Sequence, residues 1–103
     1  MHTTPPDAHL PQLADLFHLL GDTTRLRIIV TCLQGPIAVG DLAAALALTP
    51  TLVSHHLRLL RAARLVRFER QGRHMLYSAA DRHVSDMLQD MIEHIAEPHS
   101  DVE

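Results

Sequence analysis

Asp81, His83, His94 and Glu97 form two oxygen–nitrogen pairs at opposite ends of one segment near the C-terminus, and both pairs carry donor types that bind divalent transition metals. His94 and Glu97, three apart, share one face of a helix. Asp81 and His83, two apart, would diverge in mid-helix. Asp81, however, falls at the predicted helix start, where the backbone is not yet helical and the two side chains can converge. His83 and His94 are eleven residues apart, which at ~100° and about 1.5 Å per residue returns them to within ~20° of one face but holds them ~16 Å apart. One chain cannot bring all four to a single ion. Two copies of the helix packed antiparallel about a two-fold axis can, because the Asp81/His83 end of one then meets the His94/Glu97 end of the other and two identical four-donor sites close. A homodimer with metal at its interface is the expectation.

Two imidazole nitrogens and two carboxylate oxygens in a tetrahedron suit Zn(II) best, and Co(II) fits the same geometry. Ni(II) would want more ligands, and His2, His9 and His99 near the chain ends are further donors for it. Asp86 and Asp90 lie near the same helix face as alternative oxygen ligands or outer partners. Taken singly, Asp81 reads as a helix N-cap and each histidine as an exposed or interfacial ring; the metal reading rests on the four together. Four protein donors leave no open coordination position, which argues against the alternative of a small metal-dependent hydrolase.

The elements that must position these groups are legible from punctuation and periodicity. Residues 1–8 are polar, hold Pro5 and Pro6 and read as a loose arm. Pro11 suits the first turn of a helix carrying Leu13, Leu16, Phe17 and Leu20 and stopping at Gly21. Asp22 is an N-cap for a second helix, with Leu26, Ile29, Val30 and Leu33 as its expected buried face before Gly35-Pro36. A short third helix is expected over 40–47. Thr49-Pro50 supplies an N-cap and a first-turn proline for a fourth helix reaching about Ala63. Two strands, Leu65–Arg70 and His74–Ser78, follow, joined around Gln71-Gly72 as a hairpin. A fifth helix spans about Arg82 to Ala96, with Val84, Leu88, Met91, Ile92 and Ile95 as an apolar stripe beside the ligand face and Pro98 closing it. Residues 98–103 read as a loose tail, which leaves one domain over 9–97.

Two helices joined tightly at Leu48-Thr49-Pro50 and followed by an arginine-rich hairpin describe a winged helix-turn-helix of order α-α-α-α-β-β-α. On the fourth helix, Leu57 and Leu60 fall within ~40° of Val53 and define the core side, whereas Thr51, Ser54, His55 and Arg58 fall ~100° to ~200° away. Hydroxyls, an imidazole and a guanidinium there are what a recognition helix presents to base edges and phosphates. His56 sits towards the core edge. Arg67, Arg70, Arg73 and His74 flank or occupy the protruding hairpin, where cations suit phosphate or minor-groove contact. The bland alternatives are a solvated helix face and a basic patch serving solubility or an acidic partner.

Composition agrees with two separate tasks. At 103 residues and 47% hydrophobic content the chain holds one compact domain, small enough to profit from dimer burial. The net charge of −3 is segregated. Arg58, Arg61, Arg64, Arg67, Arg70 and Arg73 fall within sixteen residues opposed only by Glu69, whereas Asp81 onward is acidic but for Arg82. No leader-like segment or membrane-length apolar run is present in the sequence, so a cytoplasmic protein with no membrane partner is expected. One cysteine, Cys32, excludes an intrachain disulfide and falls at a core position of the second helix.

The runs Leu20-Gly21-Asp22-Thr23-Thr24-Arg25-Leu26-Arg27-Ile28, Val53-Ser54-His55-His56-Leu57-Arg58-Leu59-Leu60 and Arg70-Gln71-Gly72-Arg73 before Tyr77-Ser78 span most of the chain. Together they resemble the ArsR/SmtB family of bacterial metalloregulatory repressors. Asp81, His83, His94 and Glu97 match the fifth-helix motif of its zinc-sensing, SmtB/CzrA-like branch. The resemblance implies that the apo homodimer binds double-stranded operator DNA at an imperfect inverted repeat and represses metal efflux or sequestration genes until metal releases it. It also implies a relay in which His94 hydrogen-bonds a backbone carbonyl near Arg64. Relatives that sense soft metals carry a cysteine pair on the third helix, where this chain has Val39-Gly40-Asp41-Leu42. Two other readings are a nickel or cobalt sensor that uses the tail histidines and a winged-helix repressor with no metal response.

Overall fold

Asp22, Thr49 and Asp81 each start a helix in the computed structural model, which describes residues 7–98. The backbone N–H groups of Arg25, Leu52 and Val84 donate to these three side chains at 2.9, 3.2 and 3.1 Å. Each bond satisfies one of the amides that the first turn of a helix leaves without a partner. Among the described residues the elements are α1 (His9–Leu20), α2 (Thr23–Cys32), β1 (Ile37–Ala38), α3 (Val39–Leu46), α4 (Pro50–Ala62), β2 (Val66–Gln71), β3 (His74–Ala79) and α5 (Arg82–Ala96). This is the expected winged helix-turn-helix with one addition. The two-residue strand β1 pairs with β3, Ile37 opposite Tyr77, so the wing is a three-stranded antiparallel sheet of order β1-β3-β2. A strand that short, directly after Pro36, shows no alternation to read.

In the hairpin, pairing runs from Val66 opposite Ala79 to Gln71 opposite His74. The turn therefore falls on Gly72-Arg73, one residue later than the sequence implies, with Gly72 in the left-handed region at φ +61°. The connection between α3 and α4 turns at Ala47, φ +57°, and that from α4 into the wing at Arg64, φ +58°. At the latter, Leu65 N–H donates to the Leu60 carbonyl and Arg64 N–H to that of Arg61, both at 2.9 Å, closing the end of α4.

The core joins every helix to the base of the wing through Leu20, Ile28, Ile29, Cys32, Leu42, Val53, Leu57, Leu60, Leu65, Val66 and Leu88. On α2 the buried face differs from the expected one. Ile28, Ile29 and Cys32 are the fully buried residues, and Leu26, Val30 and Leu33 only pack against them. The face has rotated by about one residue, because α2 must contact both α4 and the sheet. Burial pushes the Cys32 thiol up to about 11, as suits a core side chain. On α4 the expected Val53, Leu57 and Leu60 are all 0% exposed. Leu57→Ala is expected to cost about 2–5 kcal/mol of stability in urea unfolding, the usual penalty for a cavity in a packed core.

Helices α1 and α5 bury little. Leu20 alone is buried on α1 and Leu88 alone on α5, while Leu10, Leu13 and Phe17 of the former and Met91, Ile92 and Ile95 of the latter are exposed. Between them lies a cleft of about 190 Å³ walled by Leu13, Leu16, Phe17, Leu65, Val84 and Met87. So large an apolar surface on one protomer marks an interaction face. The expected arm (1–8) and tail (98–103) fall mostly on residues 1–6 and 99–103, which with His2 and His99 lie outside the described residues. Among the described residues, no helix is long and apolar enough to cross a membrane.

Candidate functional site

The N-cap geometry of α5 decides where Asp81 points. Its backbone is extended, at φ −161° and ψ −178°, so the side chain folds over the first turn and meets His83 two residues on, with His83 Nδ1 3.7 Å from Asp81 Oδ1. At the other end, one helical turn brings His94 Nδ1 to 3.4 Å from Glu97 Oε1. Donors about 2.0–2.1 Å from a tetrahedral zinc are separated by roughly 3.3–3.4 Å along each edge of the tetrahedron. Each pair is thus spaced close to one edge of such a site. All four side chains are more than half exposed and open to a second molecule. Among the described residues, no three His, Cys, Asp or Glu side chains of one chain gather where an ion would sit. To hold an ion, each pair would need donors from elsewhere.

Asp81 serves its helix as well. The Val84 N–H that donates to it is the main reason its carboxyl stays below the usual carboxylate range, and the neighbouring His83 adds to the effect. That bond and the 3.7 Å approach of His83 Nδ1 both fall on Oδ1, and Oδ2 accepts no hydrogen bond from a described residue. Asp86 is occupied by Arg82 at 3.9 Å, and Asp90 is exposed on the same helix.

Asp81 also lines a second cleft, with Arg61, Arg64, Arg67 and Phe68. Arg64 and Asp81 thereby line one cleft of one chain, across the junction of α4 and the wing. The Arg64 carbonyl accepts no hydrogen bond from a described residue. Arg61 folds back over the Phe68 ring, with 3.8 Å from its guanidinium carbon to the ring centroid. That contact spans a helix, a turn and a strand, and no sequence periodicity reports it.

On the recognition helix, Thr51, His55 and Arg58 are exposed and Ser54 half-buried, all on the side away from Val53. Pro50 holds the first turn and Thr49 caps it, so these groups project from a fixed helix end. His56 is half-buried towards α2, and its Nδ1 and the Nε of Arg25 are buried without a hydrogen-bond partner. Burial holds the His56 imidazole below its usual range, against the opposing pull of the Asp22 carboxylate. Arg73 lies in the wing turn, Arg70 and His74 beside it, and Arg67 at the wing base opposite Ser78; all four are exposed. None of Arg58, Arg67, Arg70 and Arg73 forms an ion pair among the described residues.

Residues 22–67 match the family model described as bacterial regulatory protein, arsR family. The chain is 41% identical over 86 residues to the transcriptional repressor SmtB homolog of Synechocystis, a match covering 84% of this chain and 65% of that protein's length. Among solved structures, the cadmium metal-sensor CmtR of Mycobacterium tuberculosis superposes with a TM-score of 0.69 at 38% identity, covering 87% of this chain and 94% of that one. A homodimeric winged helix-turn-helix DNA-binding domain from Mycobacterium bovis, a possible ArsR-family regulator, gives 0.79 at 28% identity over 92% and 90% of the two chains. The helix-turn-helix, the wing and these alignments agree, and the chain belongs to the ArsR/SmtB family of bacterial transcriptional regulators.

Proposed function

We propose that this chain is a zinc-responsive repressor whose apo homodimer binds operator DNA and is released when Zn(II) occupies two sites between its fifth helices. The observation that carries the reading is the donor spacing of two half-sites at opposite ends of α5, 3.7 and 3.4 Å, each close to the edge of a zinc tetrahedron. Asp81 and His83 of one protomer and the partner's His94 and Glu97 would hold the ion. The metal supplies a common centre for donors on two chains. The exposed apolar faces of α1 and α5 support burial against a second copy.

DNA binding is assigned to Thr51, Ser54, His55 and Arg58 at base edges and phosphates, and to Arg67, Arg70, Arg73 and His74 along the wing. Two recognition helices would enter major grooves about 34 Å apart on an imperfect inverted repeat. His94, with Nδ1 directed at the ligand position beside Glu97, keeps Nε2 as a donor. The partner's Arg64, whose carbonyl accepts no hydrogen bond from a described residue and which lines one cleft with Asp81, would be the acceptor at the end of α4. By this bond the four ligands would bias how α4 and the wing are set relative to their copies, and DNA affinity would follow the state selected.

The test is titration of an operator, selected from random duplexes with apo protein, in the presence and absence of zinc. Affinity is expected to fall about 100-fold with zinc, a coupling of roughly 2.7 kcal/mol that must equally weaken zinc binding to the DNA complex. Parallel titrations with cobalt and nickel rank the metals. An operator affinity that no metal alters would leave a repressor without this response. For the wing, Arg73→Ala should weaken binding to all duplexes alike and lower the salt slope by about one unit. An unchanged slope would remove Arg73 from the phosphate contacts.

A further inference from the structure

We propose that the cleft formed by Arg61, Arg64 and Arg67 receives the acidic segment that follows α5 of the partner protomer. The inference rests on the antiparallel pairing of fifth helices described above. The cleft, about 420 Å³, lies where the end of α4 meets the base of β2. All three arginines are exposed, and none has a described carboxylate within ion-pair distance. The carboxylate on the cleft's rim, Asp81, is turned to the Val84 N–H and to His83. Arg61 stacks over the Phe68 ring, 3.8 Å from guanidinium carbon to ring centroid. Three like charges at one concave surface repel one another and raise the local potential, which favours an anionic occupant.

Pairing identifies the occupant. Bringing the partner's Glu97 to Asp81 brings the start of the partner's C-terminal segment to the rim of this cleft, because Asp81 belongs to both. Pro98 cannot continue the helix, so the chain leaves the axis there. Asp101 and Glu103 follow within six residues of Glu97, an extended reach of about 20 Å, ample for a cleft of this size. Three guanidinium groups on one protomer thus meet two further carboxylates on the other. Because Arg67 also belongs to the wing, the docked segment and a DNA phosphate would draw on the same cation.

The experiment uses full-length mixed dimers with zinc present. One protomer carries Ser100→Cys with a nitroxide label and the other is ¹⁵N-labelled. Cys32, 1% exposed with its thiol pushed up to about 11, stays unlabelled. The arginine Nε–H resonances of Arg61, Arg64 and Arg67 in the ¹⁵N protomer should lose roughly half their intensity or more at low salt. They should recover near 1 M salt, where the screening length is about 3 Å. Broadening that persists undiminished in high salt would overturn the docking and leave the pairing standing, whereas signals untouched at low salt would overturn both, because the pairing alone sets position 100 within about 10 Å of the cleft rim. Sedimentation as a monomer under the same conditions would remove the pairing and the docking together.

Discussion

His94→Ala is expected to leave apo operator affinity within about twofold of wild type and to abolish the zinc effect on it, even at saturating metal. The first half follows from exposure. His94 is 72% exposed at the far end of α5 from the wing, and exposed substitutions of this kind usually cost less than about 0.5 kcal/mol. The second half follows from its two nitrogens, one toward the ligand position beside Glu97 and the other left to reach the partner's Arg64 carbonyl. Glu97→Gln is the informative control. It weakens a ligand but keeps the ring, so zinc affinity should fall while the drop in DNA affinity, once sites are filled, should persist. Fluorescence anisotropy with and without saturating zinc distinguishes the two. An unaltered zinc effect in the His94 variant would exclude the relay. A loss in both variants would show that assembly of the four-ligand site, and no single hydrogen bond, transmits the signal.

Much of the fold was legible because the signals were local. Asp22, Thr49 and Asp81 cap their helices through a single side-chain bond each, and sequence alone can place such bonds. The core face of α4 was read correctly because its neighbours α2, α3 and β2 all meet the one apolar side that Val53, Leu57 and Leu60 form. On α2 the reading found Ile29 and Cys32 but preferred Leu26, Val30 and Leu33 to Ile28, because a helix packed between α4 and the sheet buries a face that its own periodicity does not centre. Strand β1 depends entirely on its partner β3, and nothing within Ile37-Ala38 announces it. At the candidate site, spacing gave the pairing of His94 with Glu97, and the expectation of a non-helical backbone at Asp81 gave the other pair. The cleft that Asp81 shares with Arg61, Arg64 and Arg67 was beyond reach, because it forms where three elements meet.

Asp81→Asn should separate the two roles that converge on this residue. As an N-cap, Asn is about as good as Asp, so the bond from the Val84 N–H survives, α5 starts where it did, and the melting temperature stays unchanged. As a metal ligand, the neutral amide is much the poorer group, because zinc draws its oxygen ligands from carboxylates. Zinc affinity measured by chelator competition should therefore drop on the order of 100-fold, at least the penalty seen when a partner one shell further out is lost. Asp81→Ala should lose both functions, with similar weakening of zinc binding and a melting temperature lower by a few degrees. If the Asn variant bound zinc like wild type, Asp81 would be a cap alone, and the first half-site would have to draw its oxygen from elsewhere. Asp86 is the nearest alternative on the helix, but Arg82 holds it at 3.9 Å, so recruiting it would cost that ion pair. The variant pair Asp81→Asn and Asp86→Asn thus identifies which carboxylate joins His83, and with it how closely the two fifth helices must approach.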